Sequence, residues 1–131
     1  MNHDMIMIMK IIQTDAVPAA VGPYSQAVLV DGWVYCSGQI GLDTSGVLQE
    51  GVEEQMLQII RNIEAVLEEA GGGLDQVVKT TIFLTNVDDF ELVNEIYAVA
   101  MGDQRPARST VVVKELPRGA LVEVEMVGKL K

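Results

Sequence analysis

An α+β domain, with a mixed sheet covered on one face by two helices, is the fold class this sequence predicts. Patterning is the first observation: β-branched runs and helical periodicities follow one another as ββ, α, β, α, β and β. Size is the second, since 131 residues, 49% of them apolar, make one domain able to bury a core without disulfides or metal. The third is that Val28-Leu29-Val30, Trp33-Val34-Tyr35 and Val111-Val112-Val113 are apolar on both strand faces. Strands buried on both sides read this way. Two helices cover only one side, so something else must cover the other, and a second subunit is the simplest candidate.

The elements follow in order. The run 5–12 is broken by Lys10, falls short of the ~20 residues that span a bilayer, and reads as an added edge strand. Ala27–Val30 and Trp33–Cys36 flank Asp31-Gly32, a two-residue hairpin signal because glycine tolerates positive φ. From Val52, the positions Met56, Ile59, Ile60, Ile63, Val66, Leu67 and Ala70 recur at helical spacing, with Glu53, Glu54, Arg61, Asn62, Glu68 and Glu69 opposite. Gly71-Gly72-Gly73 stops that helix. The β-branched stretch 77–85 reads as a strand. A second helix is expected with Asp88 as N-cap, Glu91 completing the capping box, and Gly102 as its stop. Its inner face is Phe90, Val93, Ile96, Tyr97 and Ala100. Strands over 109–116 and 120–129 close the chain, joined by the Leu116-Pro117-Arg118-Gly119 turn.

Charge narrows the partners. A net charge of −10 argues against broad nucleic-acid or anionic-membrane surfaces, which need concentrated Lys and Arg. A small anion remains possible where basic residues gather locally. The single cysteine, Cys36, forms no internal disulfide and, with no secretory signal evident, points to the cytoplasm. Cys36 reads as a small core residue rather than a nucleophile. His3 is the only histidine, so no Cys-His pair or histidine cluster can be built, and Gly71-Gly72-Gly73 lacks the lysine and serine of a phosphate loop. No metal, nucleotide or other cofactor is expected.

The stretch 105–125 carries the chemistry. If its two strands pair antiparallel about the 116–119 turn, Arg108 and Glu123 approach the same region of sheet. A guanidinium fork matches a carboxylate at two points, and an ionised glutamate can take a proton from water. A surface salt bridge for Arg108 and a solvated polar face for Glu123 and Glu125 are the ordinary alternatives.

With Pro18-Ala19-Ala20-Val21-Gly22-Pro23-Tyr24-Ser25-Gln26 and Ser37-Gly38-Gln39-Ile40 upstream, Arg105-Pro106-Ala107-Arg108-Ser109-Thr110 and the 116–125 stretch closely resemble the RidA (YjgF) family. The resemblance runs from about Lys10 to the C-terminus, with the motifs in family order and spacing, which leaves residues 1–9 as a variable extension and 10–131 as the domain. It implies a chorismate-mutase-like fold and a homotrimer with the sheets packed inside as a barrel, helices outside and sites in clefts between subunits. It further implies that Arg108 grips a substrate carboxylate, that Glu123 positions or activates the attacking water, and that Tyr24, Ser37, Gly38 and Asn94 line the pocket. Arg105 falls outside the core motif and reads as solvated. Thr110 stands where many relatives carry cysteine, which removes any mechanism needing a thiol there but leaves its hydroxyl and backbone N–H to bind a carboxylate.

The activity so implied is 2-iminobutanoate/2-iminopropanoate deamination: hydrolysis of reactive enamine or imine intermediates to 2-oxo acids and ammonia, as metabolite damage control. A non-catalytic sensor of small carboxylates or 2-oxo acids is the competing reading. A ribonuclease or translation inhibitor is a third, disfavoured by the acidic charge and the lack of a catalytic histidine.

Overall fold

The structure, a computed structural model, describes residues 8–131. Six strands form one sheet: β1 (Met9–Ile12), β2 (Ala27–Val30), β3 (Trp33–Cys36), β4 (Val77–Leu84), β5 (Ala107–Val112) and β6 (Val122–Lys129). Helix α1 (Gly51–Ala70) connects β3 to β4, and α2 (Phe90–Met101) connects β4 to β5. The spatial order is β1-β2-β3-β6-β4-β5, with β4 and β5 parallel and every other pair antiparallel. The sheet is therefore mixed, as expected. The 5–12 strand is an edge strand whose described part begins at Met9; residues 5–7 lie outside the described residues, as does most of the 1–9 extension.

Alternation decides which face is core. Val122, Val124 and Met126 of β6 and Thr80, Ile82 and Leu84 of β4 are buried beneath the helices. The apolar stripe of α1 closes on them, with Met56, Ile59, Ile63, Val66 and Leu67 at most 1% exposed. Asp31 and Gly32 turn the first hairpin at φ 53 and 81, as a two-residue loop requires. At the end of α1, Gly71 adopts φ 98 while the N–H groups of Gly71 and Gly72 close on Glu68 and Leu67, a Schellman ending.

Three expectations need correction. Asn62, placed on the polar face of α1, is buried: its amide donates to Leu42 O at 2.9 Å and accepts from Gln58 at 2.9 Å, so hydrogen bonds rather than polarity set its place. Asp88 is not the cap of α2. A short 3₁₀ turn, Val87–Asp89, precedes the helix, and Asn86 caps that turn by accepting from the Asp88 N–H at 2.9 Å. Finally, the last two strands do not form a hairpin. Nine residues, 113–121, separate β5 from β6 and carry the chain past the end of β4, so that β4 lies between them. The physical reason is burial: β6 is apolar on its helix side and takes the centre of the sheet, whereas β5, with Val111 and Val112 43% and 52% exposed, is an edge.

The face away from the helices is uncovered in the single chain. It presents Ile11, Trp33, Tyr35 and Val111, all exposed.

Candidate functional site

Glu123 lies on that uncovered face, beside Phe83 of β4. The chain beyond β3 is what closes over it. Tyr35 pairs with Val127, and pairing resumes where Gln39 and Val124 exchange N–H···O bonds of 2.8 and 3.1 Å. Four steps on one strand thus oppose three on the other, a bulge at Ser37-Gly38. The bulge brings Gly38 against the glutamate: a Cβ there would stand 3.0 Å from Glu123 Cδ and overlap a carboxylate oxygen. Only glycine leaves that room. The Ser37 hydroxyl is turned the other way, donating to Ser25 O at 2.5 Å, so it fixes the loop. Tyr24, exposed, shares with Gly38 and Glu123 a cavity of about 330 Å³ whose walls include Val21, Ile40 and Pro117.

Burial, with the neighbouring charge of Glu125 as a smaller cause, pushes the Glu123 carboxyl above the ordinary carboxylate range. A carboxylate so raised is a stronger base towards water than a solvated one.

Arg108 is placed differently. It pairs with Thr80 on the helix side of β4, so its side chain meets α2. Its Nη1 donates to Asn94 Oδ1 at 2.7 Å, and the guanidinium carbon lies 5.0 Å from the Tyr97 ring centre and 5.8 Å from that of Phe90. Tyr97 is itself fixed, its hydroxyl donating to the buried Thr80 Oγ1 at 2.9 Å. A planar cation is held by rings and an amide, and none of these contacts is a carboxylate. Thr110, two residues on and on the same face of β5, has a buried hydroxyl with no hydrogen-bond partner. Buried polar atoms are rarely left so. Beside Arg108 lies a second cavity, about 420 Å³, lined also by Asn94, Tyr97, Gln104 and Arg105. Arg105 is exposed but not merely solvated: Nη1 donates to Gly102 O at 2.5 Å and Gln104 O at 2.8 Å, closing the end of α2.

The sequence-derived residues therefore form two sets. Tyr24, Gly38 and Glu123 share one hollow, with Ser37 behind it; Arg108 and Asn94 line the other, and Thr110 lies two residues along β5 from Arg108 on the same face. The expected approach of Arg108 to Glu123 within a chain is overturned by the topology. With β4 between their strands and three residues of register between Thr80 and Phe83, their Cα atoms are about 14 Å apart at ordinary strand spacing, on opposite faces. Sequence reading also missed Gln39, whose bridge makes the bulge, and the use of Phe90 and Tyr97 as an aromatic cradle. The seven-residue spacing of those rings on one helix face was a signal, but it reads equally as core.

Among the described residues no group of three or more His, Cys, Asp or Glu is arranged to hold a metal. Burial pushes the Cys36 thiol up to about 12, which keeps it protonated and unreactive at neutral pH. Among the described residues no helix is long and apolar enough to cross a membrane.

The matches to known proteins share one fold and family but carry different functional names. The family model described as endoribonuclease L-PSP matches residues 14–129. A RutC family protein of Aquifex aeolicus (strain VF5) is 49% identical over 123 residues, 92% of this chain and 98% of that protein. The 2-iminobutanoate/2-iminopropanoate deaminase of Mus musculus is 46% identical over 124 residues, 93% of this chain and 92% of that protein. A crystal structure from Entamoeba histolytica carrying the endoribonuclease L-PSP description matches with a TM-score of 0.92 at 47% identity, over 94% of this chain and all of that one (100%).

Proposed function

The chain belongs to the RidA family, and from that premise we propose that it is a cofactor-independent deaminase of short 2-imino acids, 2-iminobutanoate and 2-iminopropanoate, working in the cytoplasm. The substrate carboxylate lies against the Arg108 fork, with the unpartnered Thr110 hydroxyl as a further donor. Glu123 takes a proton from water as the water oxygen bonds to the C=N carbon. That proton is delivered to the nitrogen, the proton of the new hydroxyl follows it as the C=O bond forms and the C–N bond breaks, and ammonia and the 2-oxo acid leave. Water supplies the oxygen and no redox partner is needed. General-base help is worth about 10²–10⁴-fold, which suffices for a reaction already feasible in water.

One observation carries this reading: the two groups are complementary, one a prepositioned guanidinium whose contacts include no carboxylate, the other a carboxyl made more basic by burial, and they lie on opposite faces of one sheet. They meet only if copies associate. The uncovered apolar face supplies the surface for that, and a closed homotrimer with the sheets inside is the assembly we propose. The pairing of α2 with Arg108 then belongs to one protomer and the Gly38–Glu123 hollow to its neighbour.

Mixing experiments test both chemistry and assembly. Arg108→Ala and Glu123→Ala proteins should each be nearly inactive in an assay of iminopropanoate loss. Unfolded together and refolded as mixed oligomers, they should recover about a quarter of wild-type activity, the statistical share of interfaces with both groups intact in a closed ring. Recovery of nothing would mean that each chain must supply both groups itself. Full activity in Arg108→Ala would remove the clamp.

A further inference from the structure

The Glu123 hollow contains a second charged group that the reaction as described does not use. Arg118 lines the same cavity. Its backbone sits at φ 60, ψ 22, a left-handed conformation that residues with a Cβ rarely adopt. A glycine would take it without strain, and Gly119 beside it does so at φ 72. The turn thus holds a guanidinium where the backbone favours none. That guanidinium is also tethered: Nη1 donates to Gly46 O at 3.0 Å, across 72 residues of sequence. The accepting loop is itself pinned, since Asp43 Oδ1 accepts from the Ser45 and Val47 N–H groups at 2.9 and 3.0 Å. One edge of the fork is occupied by a carbonyl and the remaining donors stay available.

The lining that Glu123 and Arg118 share is largely aliphatic, with Pro18, Val21, Ile40, Leu42 and Pro117 among its residues. Base, apolar wall and tethered cation thus share one hollow. A ligand that fits all three has its reacting carbon by Glu123, a short carbon chain against the wall, and an anion at the far end. Building on the deaminase reading, we infer that Arg118 is a specificity residue that selects 2-imino acids carrying a second, distal carboxylate. The first carboxylate goes to Arg108 of the neighbouring protomer and the second to Arg118.

The test pairs two five-carbon ligands that differ only at the far end, 2-oxoglutarate and 2-oxopentanoate, which are also stable products of the corresponding imines. By calorimetry the wild-type protein should bind the dicarboxylate about tenfold more tightly, the value of one charge-assisted contact. Arg118→Gln and Arg118→Gly should abolish the difference while leaving 2-oxopentanoate affinity unchanged. The glycine variant relieves the left-handed strain, so it should fold, and Arg118→Lys should restore part of the preference. In turnover assays with imines generated in situ by an amino-acid oxidase, the loss should appear in KM for 2-iminoglutarate and not in kcat. Equal wild-type affinity for the two oxo acids, or a preference that survives in Arg118→Gly, would overturn the assignment even if 2-iminobutanoate is turned over normally. Discrimination in binding without turnover of any imine would instead remove the deaminase reading and leave the role of Arg118 standing.

Discussion

On the helix side of the sheet, the charge of Arg108 is shared among an asparagine and two aromatic rings, each held by its own contacts. On the other side, Glu123 is pressed against a glycine, half-buried, with Glu125 as the charge that acts on it. The first group is fixed in orientation before any ligand arrives; the second is destabilised in its ionised form by burial. Recognition of an anion benefits from a fixed cation whose orientation is already set. Proton transfer benefits from a base whose pKa is moved towards neutrality. The difference between the two regions is thus a division of labour between holding and reacting, and it predicts that damage to the two will look different in kinetics.

The largest effects should come from the charged groups themselves. Arg108→Ala should lower kcat/KM for iminopropanoate about 10³-fold, as loss of a preorganised charge contact does, and Glu123→Gln should lower kcat about 10²–10⁴-fold with little change in KM. If Glu123→Gln raised KM alone, the assignment of holding and reacting would be reversed. Gly38→Ala comes next: its methyl displaces the carboxylate, and misplacing a reacting group by about 1 Å can cost 10²-fold. That loss should fall on kcat, with circular dichroism unchanged. Asn94→Ala should raise KM about tenfold, one charge-assisted hydrogen bond, and leave kcat alone.

The smallest effect is in the pH dependence. Glu123 must be ionised to act, so activity should fall as pH drops through its raised value, and Glu125→Gln should move that limb to lower pH by removing the second cause of the shift. The same shift has a sign in stability. A carboxyl raised on folding contributes stability that is present below its unfolded pKa and lost as pH rises through the folded one. Glu123→Gln should therefore melt higher than wild type at pH 7, with the gap closing towards acid pH. No gap at any pH would mean that the glutamate is not desolvated.

Much of the fold was legible because it rests on local periodicity. The stripe from Met56 to Ala70, the Asp31-Gly32 hairpin and the glycine endings are each written within a few residues and needed no distant partner. The sheet order was not, because Val122-Glu123-Val124-Glu125-Met126 reads the same whether it pairs with β5 or passes β4 to lie beside β3. Only the competition for the surface beneath α1 decides that. Asn62 was misread for a related reason, since its partner Leu42 O lies twenty residues away in a loop with no periodicity. For the site, motifs named Arg108 and Glu123 but carried no information about faces. The face of a strand residue follows from its parity, and parity is useful only when the neighbouring strand is known. The bulge that seats Gly38 depends on a pairing between Gln39 and Val124 that no local signal announces.

The placement of β6 has a consequence for how this molecule is made. As the ribosome delivers the chain, β1, β2 and β3 emerge as one meander and β4 with β5 as a separate βαβ unit, and no strand pairing joins the two until the strand that runs between them is synthesised after both. The nascent protein thus carries two unmatched sheet edges, at β3 and β4, until its last strand is made. Its completion is a single late insertion of high sequence separation, a slow kind of step that exposes apolar edges to misassociation.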